Sequence, residues 1–157
     1  MTRVLFVCLG NICRSPAAEG IFRHKIRNAK VPIHVDSAGT GGWHVGEPPD
    51  GRMIAHARER GYDLSDLEAR VFEQKDFEAF DLILTMDESN FKHVSAMDRS
   101  GSFRHKIRKV TSFCKIHSIN EVPDPYYKGD DGFQHVLDIL EDACDELLLQ
   151  IETGKLK

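Results

Sequence analysis

Cys8 and Arg14 bracket a short loop, Cys8-Leu9-Gly10-Asn11-Ile12-Cys13-Arg14, and Ser15-Pro16 follows at once. A thiolate is a strong nucleophile, and a guanidinium binds oxyanions through two parallel hydrogen bonds. Val4, Leu5, Phe6 and Val7 read as a buried strand that delivers Cys8 to the loop. Ser15 reads as a helix N-cap, Pro16 as the first helical residue and Glu19 as a favourable acid in the first turn. The loop N–H groups then converge at a helix N-terminus, where negative charge is stabilised. Such a site favours the ionised form of Cys8 and cradles an anion beside it. The alternative is an ordinary buried cysteine closing a strand in a strand–turn–helix unit.

The elements that must position this loop follow one another as strand, helix, strand, helix, strand, helix, strand, helix. A helix is predicted over about 16–29, with Ala18, Ile21, Phe22, Ile26 and Ala29 at helical spacing. Residues 33–37 alternate as a strand that runs into Ala38-Gly39-Thr40-Gly41-Gly42. Pro48-Pro49-Asp50 opens a helix through Arg60, which Gly61 ends. Asp81–Met86 is a second buried strand, Asp87 caps a helix to about Met97, and Ile107–Val110 is a short fourth strand. Gly132–Ile151 is a long amphipathic helix. Strands separated by helices predict an α/β fold of three layers, a central four-stranded parallel sheet with helices on both faces. Ligands in such sheets bind at the carboxyl ends of the strands. Cys8, Ser37 and Asp87 each stand at such an end, so all three should meet on one rim.

Composition narrows the setting. The chain has 157 residues, expected as one domain over 1–157, with 41% hydrophobic and 29% charged residues. A net charge of −4 and the lack of any basic block argue against nucleic acid as a partner. No apolar run approaches the roughly 18 residues of a membrane span, and the N-terminal apolar run is broken by Gly10 and Asn11, unlike a signal peptide. A cytoplasmic location, no membrane partner and a monomer are expected. The four cysteines are then expected to be reduced, with Cys114 and Cys144 as core residues. The histidines show no zinc-ligand spacing, so neither a metal nor another cofactor is expected.

Residues 8–16 resemble the phosphate-binding loop of the low-molecular-weight protein tyrosine phosphatases, which combine Cys-x5-Arg with this Asn and with Ser-Pro. Asp36-Ser37-Ala38-Gly39-Thr40, Met86-Asp87-Glu88-Ser89-Asn90 and Asp124-Pro125-Tyr126-Tyr127 are similar to further motifs of that family, so the likeness runs over essentially the whole chain. It implies a phosphoric monoester hydrolase acting on tyrosine-phosphorylated proteins. Cys8 attacks phosphorus, Arg14 and the loop N–H groups hold the phosphoryl oxygens, and Ser15 donates a hydrogen bond to the sulfur. The leaving group needs a proton, and later a base must activate water. One carboxyl group can do both. Asp124, stiffened between Pro123 and Pro125, is the candidate. On its own it would read as a plain Asp-Pro turn.

Leu9, Gly10, Ile12 and Cys13 are expected to contact the bound group. Trp43, Tyr126 and Tyr127 are expected to wall an aromatic slot above Cys8, although Trp43 could equally be an ordinary loop aromatic. Asn11 suits a left-handed backbone that shapes the loop. By resemblance it is pinned by a network that includes Ser37. Many family members add a histidine there, but this chain has none from 57 to 92, so its network must be smaller or completed differently. Members specialised for phosphoarginine carry threonine where this chain has Ile12, which points to phosphotyrosine. Cys13 could resolve an oxidised Cys8 as a disulfide, or it could simply fill space beneath the loop. Two rival functions remain. A thiol-dependent arsenate reductase of the same fold would need a cysteine pair after the third strand, and residues 80–100 contain no cysteine. A non-hydrolysing phosphotyrosine-binding module would usually have lost one of Cys8, Arg14 and Asp124.

Overall fold

The computed structural model describes residues 1–126 and 129–156. Strands β1 (Thr2–Cys8), β2 (Ile33–Gly39), β3 (Leu82–Thr85) and β4 (Ile107–Lys109) form one sheet in the order β2-β1-β3-β4. Every pairing is parallel, with Val4 opposite both Val35 and Leu82, and Leu84 opposite Arg108. The chain turns to one side of β1 for β2 and crosses to the other side for β3. The connections leaving β1 and β3 therefore part, opening a crevice at the carboxyl ends of these two strands.

Among the described residues, five α-helices cover the sheet: α1 (Arg14–Lys25), α2 (Gly51–Glu59), α3 (Asp76–Ala79), α4 (Glu88–Met97) and α5 (Asp130–Glu152). Strand alternation sorts the core into two layers. Val4, Phe6, Leu82 and Leu84 face one way and pack with Ala18, Ile21, Phe22, Met53, Leu140 and Leu147 of α1, α2 and α5. Leu5, Val7, Ile83 and Ile107 face the other way, against Phe77 of α3 and Val94 of α4. The expected three-layer α/β fold is the one found.

The departures from expectation are local. The first helix begins at Arg14, not Pro16, and its N-cap is Cys13, with no side-chain cap. Ser15 is inside the helix, because its hydroxyl is drawn beneath the loop instead of to a backbone N–H. Glu19 lies beyond the first turn, so its expected role at the helix dipole is not the one it has. The helix also stops at Lys25, and Ile26–Asn28 continue as a 3-10 turn. α3 was not expected, since four residues give no helical period to read. α5 starts at Asp130, two residues before Gly132, where Asp130 and Asp131 put negative charge on its first turn. Asp87 does cap α4, accepting the Asn90 N–H at 2.8 Å. Among the described residues, no helix is long and apolar enough to cross a membrane.

Candidate active site

The loop leaving β1 closes on itself against the end of β2. Thr40 N–H donates to the Cys8 carbonyl at 2.9 Å and Gly41 N–H to the Leu9 carbonyl at 2.8 Å. A Cβ on Gly39 would come within 2.8 Å of the Leu9 carbonyl oxygen, so only glycine lets the strand end approach so closely. At the far side, Asp50 N–H donates to the Ile12 carbonyl at 2.8 Å and ties the loop to the start of α2. Asn11 is the one non-glycine residue among those described with positive φ, at 57°, as its side chain suggested.

Cys8 sits at the base of a cleft of about 300 Å³, lined by Cys8, Leu9, Gly10, Ile12, Cys13, Arg14, Trp43, His44, Asp124 and Tyr126. Cys8 is 2% exposed and Arg14 3%, whereas Trp43 is 71% exposed at the rim. The structure thus brings most of the expected residues to one place. Asn11 and Ser15 lie beneath the loop and not among the cleft-lining residues. Tyr127 is outside the described residues.

Arg14 is held from two sides. Its Nη1 donates to Asp87 Oδ2 at 2.7 Å and to the Val122 carbonyl at 3.0 Å. Its Nη2 is 3.8 Å from Asp124 Oδ2. Asp124 Oδ1 accepts the Tyr126 N–H at 3.0 Å, which restrains the half-exposed carboxylate over the cleft. Arg52 of α2 donates to the Tyr126 carbonyl at 3.0 Å and stacks 5.3 Å from the Tyr126 ring centre.

Below the loop, Cys8 Sγ and Ser15 Oγ are 2.9 Å apart. Asn11 Nδ2 donates to Ser15 Oγ at 2.8 Å and to Ser37 Oγ at 3.0 Å. Ser37 donates in turn to Glu19 Oε1 at 2.6 Å. The network thus ends on a carboxyl group of α1. Burial drives the Glu19 carboxyl up, the Ser37 hydrogen bond only partly offsets this, and the result is about 7. Burial, with Asp50 and Cys8 nearby, pushes the Cys13 thiol well above the ordinary thiol range.

The sequence reading placed Glu19 only in the first helical turn, and it missed Arg70, Arg52 and His44. His44 has a signal only in hindsight, since it follows Trp43; its Nδ1 lies 2.7 Å from Glu47 Oε2, which fixes the ring at the cleft mouth. The Trp43 indole lies over Gly41, where any Cβ would collide with it at 1.8 Å. Among the described residues, no group of three or more His, Cys, Asp and Glu side chains could hold a metal ion.

A doubly wound parallel sheet with a cysteine and a buried arginine sharing one cleft is the arrangement expected of a thiol-dependent phosphatase. The comparison with known proteins agrees. Residues 3–156 match the family described as low molecular weight phosphotyrosine protein phosphatase, and the chain belongs to that family. The low molecular weight protein-tyrosine-phosphatase YfkJ of Bacillus subtilis is 38% identical over 157 residues, 99% of each chain. The crystal structure of a protein tyrosine phosphatase from Entamoeba histolytica, with Hepes in its active site, superposes with a TM-score of 0.93. It is 42% identical, over 99% of this chain and 100% of that one. The Drosophila arginine phosphatase superposes with a TM-score of 0.88 at 32% identity, over 97% and 98% of the two chains.

Proposed function

We propose that this chain, acting as one domain over residues 1–157, hydrolyses phosphotyrosine in proteins through a phosphocysteine formed on Cys8. The observation that carries the reading is the convergence of Cys8, Arg14 and Asp124 on one cleft, with Arg14 Nη2 3.8 Å from Asp124 Oδ2.

The Cys8 thiolate attacks phosphorus in line, forming an S–P bond as the P–O bond to the phenol breaks. Arg14 and the loop N–H groups hold the remaining phosphoryl oxygens, whose charge they match in the transition state. Protonated Asp124 gives its proton to the departing phenolate oxygen. The resulting carboxylate then takes a proton from water. The oxygen attacks phosphorus, the S–P bond breaks, and inorganic phosphate leaves with Cys8 restored as thiolate. The Ser15 hydroxyl, 2.9 Å from the sulfur, stabilises the thiolate as leaving group. The loop and Arg14 provide the positive potential at phosphorus.

Leu9, Ile12, Trp43 and Tyr126 give the slot apolar and aromatic walls, which suit an aryl phosphate. A narrow slot with Cys8 at its base favours the long phosphotyrosine side chain over phosphoserine. Ile12 presents no hydroxyl to the cleft, which supports phosphotyrosine over phosphoarginine. The likeness to an arginine phosphatase makes phosphoarginine the competing substrate to test. Hydrolysis of a phosphotyrosine peptide and of phosphoarginine should be compared by release of inorganic phosphate. Preference for phosphotyrosine is the expected outcome; preference for phosphoarginine overturns the substrate, and no phosphate from either overturns the reading as a hydrolase. Cys13, a neutral thiol at the edge of the same cleft, completes the proposal as the partner that captures Cys8 after oxidation.

A further inference from the structure

The direction of the polar chain beneath the loop is set by one backbone donor. The Arg70 N–H donates to Asn11 Oδ1 at 3.0 Å. A backbone N–H can only donate, so the Asn11 amide is oriented with both its hydrogens toward the serines. They reach Ser15 Oγ at 2.8 Å and Ser37 Oγ at 3.0 Å. Each hydroxyl must then send its own hydrogen elsewhere. That of Ser37 goes to Glu19 Oε1, 2.6 Å away. That of Ser15 has Cys8 Sγ at 2.9 Å, a much closer partner than the Ala38 carbonyl at 3.4 Å. Donors therefore run outward from Asn11, one branch ending on the sulfur and the other on Glu19.

We propose that Glu19 is a positioning residue for the Cys8 thiolate: it is the terminal acceptor that holds Ser37, Asn11 and Ser15 in the one arrangement that aims a hydroxyl at the sulfur. The inference rests on the thiolate role given to Cys8 above. Without an acceptor at position 19, the Ser37 hydroxyl is free to turn back on Asn11. The amide would then lose the contact that shares its two hydrogens between the serines.

Glu19 is 8% exposed, and several charges face it. From α1 comes Arg23, one turn on, itself engaged by Asp66 Oδ1 at 2.9 Å and by the Asp63 carbonyl at 2.6 Å. From β2 comes Asp36, which shares Arg70 with Asp76. From the segment before β3 comes Asp66. The only cations among them are already paired with carboxylates, so burial dominates and the Glu19 carboxyl changes charge at about 7. Below that pH the network ends on a neutral acid, and above it on a carboxylate. Glu19→Gln keeps an accepting carbonyl oxygen and cannot ionise, so it stands for the low-pH form at every pH.

The test is the pH dependence of Cys8 alkylation by iodoacetamide in substrate-free protein, with Cys8 modification read by peptide mass. Glu19→Leu and Ser37→Ala should each move the alkylation midpoint upward by about one pH unit, the tenfold that a hydrogen bond to a charged group is worth. The double variant should move it no further, because both act through one chain. Glu19→Gln should match the wild type below about pH 6 and diverge from it above pH 7. Unshifted midpoints in folded variants, or shifts that add in the double variant, overturn the proposal. Should Glu19→Leu fail to fold, the other two variants decide. A Gln profile identical to wild type at every pH, or an unshifted Ser37→Ala midpoint, is then contradictory. Alkylation needs no turnover, so a protein that alkylates as described but releases no phosphate counts against the hydrolase reading alone.

Discussion

Asp87 Oδ2 lies 2.7 Å from Arg14 Nη1 while its Oδ1 accepts the Asn90 N–H at 2.8 Å, so a single carboxylate caps α4 and fixes the guanidinium of the anion cradle. The end of β3 is thereby fastened to the loop after β1 across the crevice between them. Asp87→Ala frees the buried Arg14 from one of its two anchors. Turnover of para-nitrophenyl phosphate should lose roughly 10–100-fold in kcat/KM, since small misplacement of a binding group is costly. Inorganic phosphate should also inhibit more weakly. Loss of the cap and of the buried pair should lower stability by about 1–3 kcal/mol in denaturant unfolding. Unchanged phosphate inhibition would show that Arg14 needs no such anchor.

Trp43 stands exposed at the rim with its indole over Gly41. Trp43→Ala should raise KM for aryl phosphates about three- to tenfold, the worth of one aromatic contact, with little change in stability. Steady-state kinetics with para-nitrophenyl phosphate and with a small alkyl phosphate separates the two possibilities. An equal loss for both substrates would mean that the ring shapes the loop and does not hold the substrate.

Cys13 bears on oxidation. On the proposed role of Cys13, hydrogen peroxide should convert the Cys8 thiolate to a sulfenic acid, and the Cys13 sulfur should then displace water from it to leave a Cys8–Cys13 disulfide. Intact mass after mild peroxide should show loss of two hydrogens, and thiol reductant should restore activity. Cys13→Ser should instead accumulate higher oxides of Cys8 and recover poorly. Overoxidised Cys8 with no disulfide in the wild type would rule out the protective role.

Asp142 of α5 supports the far side of the fold. It accepts the N–H groups of Lys115 at 2.9 Å, Ile116 at 3.1 Å and His117 at 2.8 Å, and it meets His117 Nδ1 at 2.9 Å. Burial alone would raise its carboxyl, but these donors prevail and hold it at about 2. A depressed carboxylate contributes stability that is present above about pH 4 and is lost as pH falls toward 2. The contribution is about 2 kcal/mol. Asp142→Asn should therefore be less stable than wild type at pH 7, with the gap closing below pH 3 in urea unfolding. A gap that stays constant from pH 7 to pH 2 would contradict the assignment.

What could be read from the sequence was whatever is local. The buried strand, the loop and the helix start lie within a few residues of one another, and each leaves its own mark. Asp87 carried two signals at once, a strand end and a cap. Ser15 misled because a serine before a proline suits an N-cap, while the sulfur and the Asn11 amide compete for the same hydroxyl. The partners of Glu19, Arg70 and Asp142 were invisible for a different reason. Each is a charged residue with a partner distant in the chain, as Glu19 is from Ser37, Arg70 from Asp36 and Asp142 from residues 115–117. Only the assembled layers show that the Glu19 and Asp142 carboxylates are buried and that Arg70 is half-buried between Asp36 and Asp76.

The most direct test of the account is to trap the phosphoenzyme. Asp124→Ala, lacking the proposed base, should accumulate it when mixed with para-nitrophenyl phosphate, whose leaving group needs little protonation. Acid quench within the first turnover, digestion and peptide mass should then find one phosphoryl group on the peptide carrying Cys8, and none in the same variant with Cys8→Ser. A burst of para-nitrophenol with no phosphoryl group on Cys8, or turnover that survives Cys8→Ser, would contradict it.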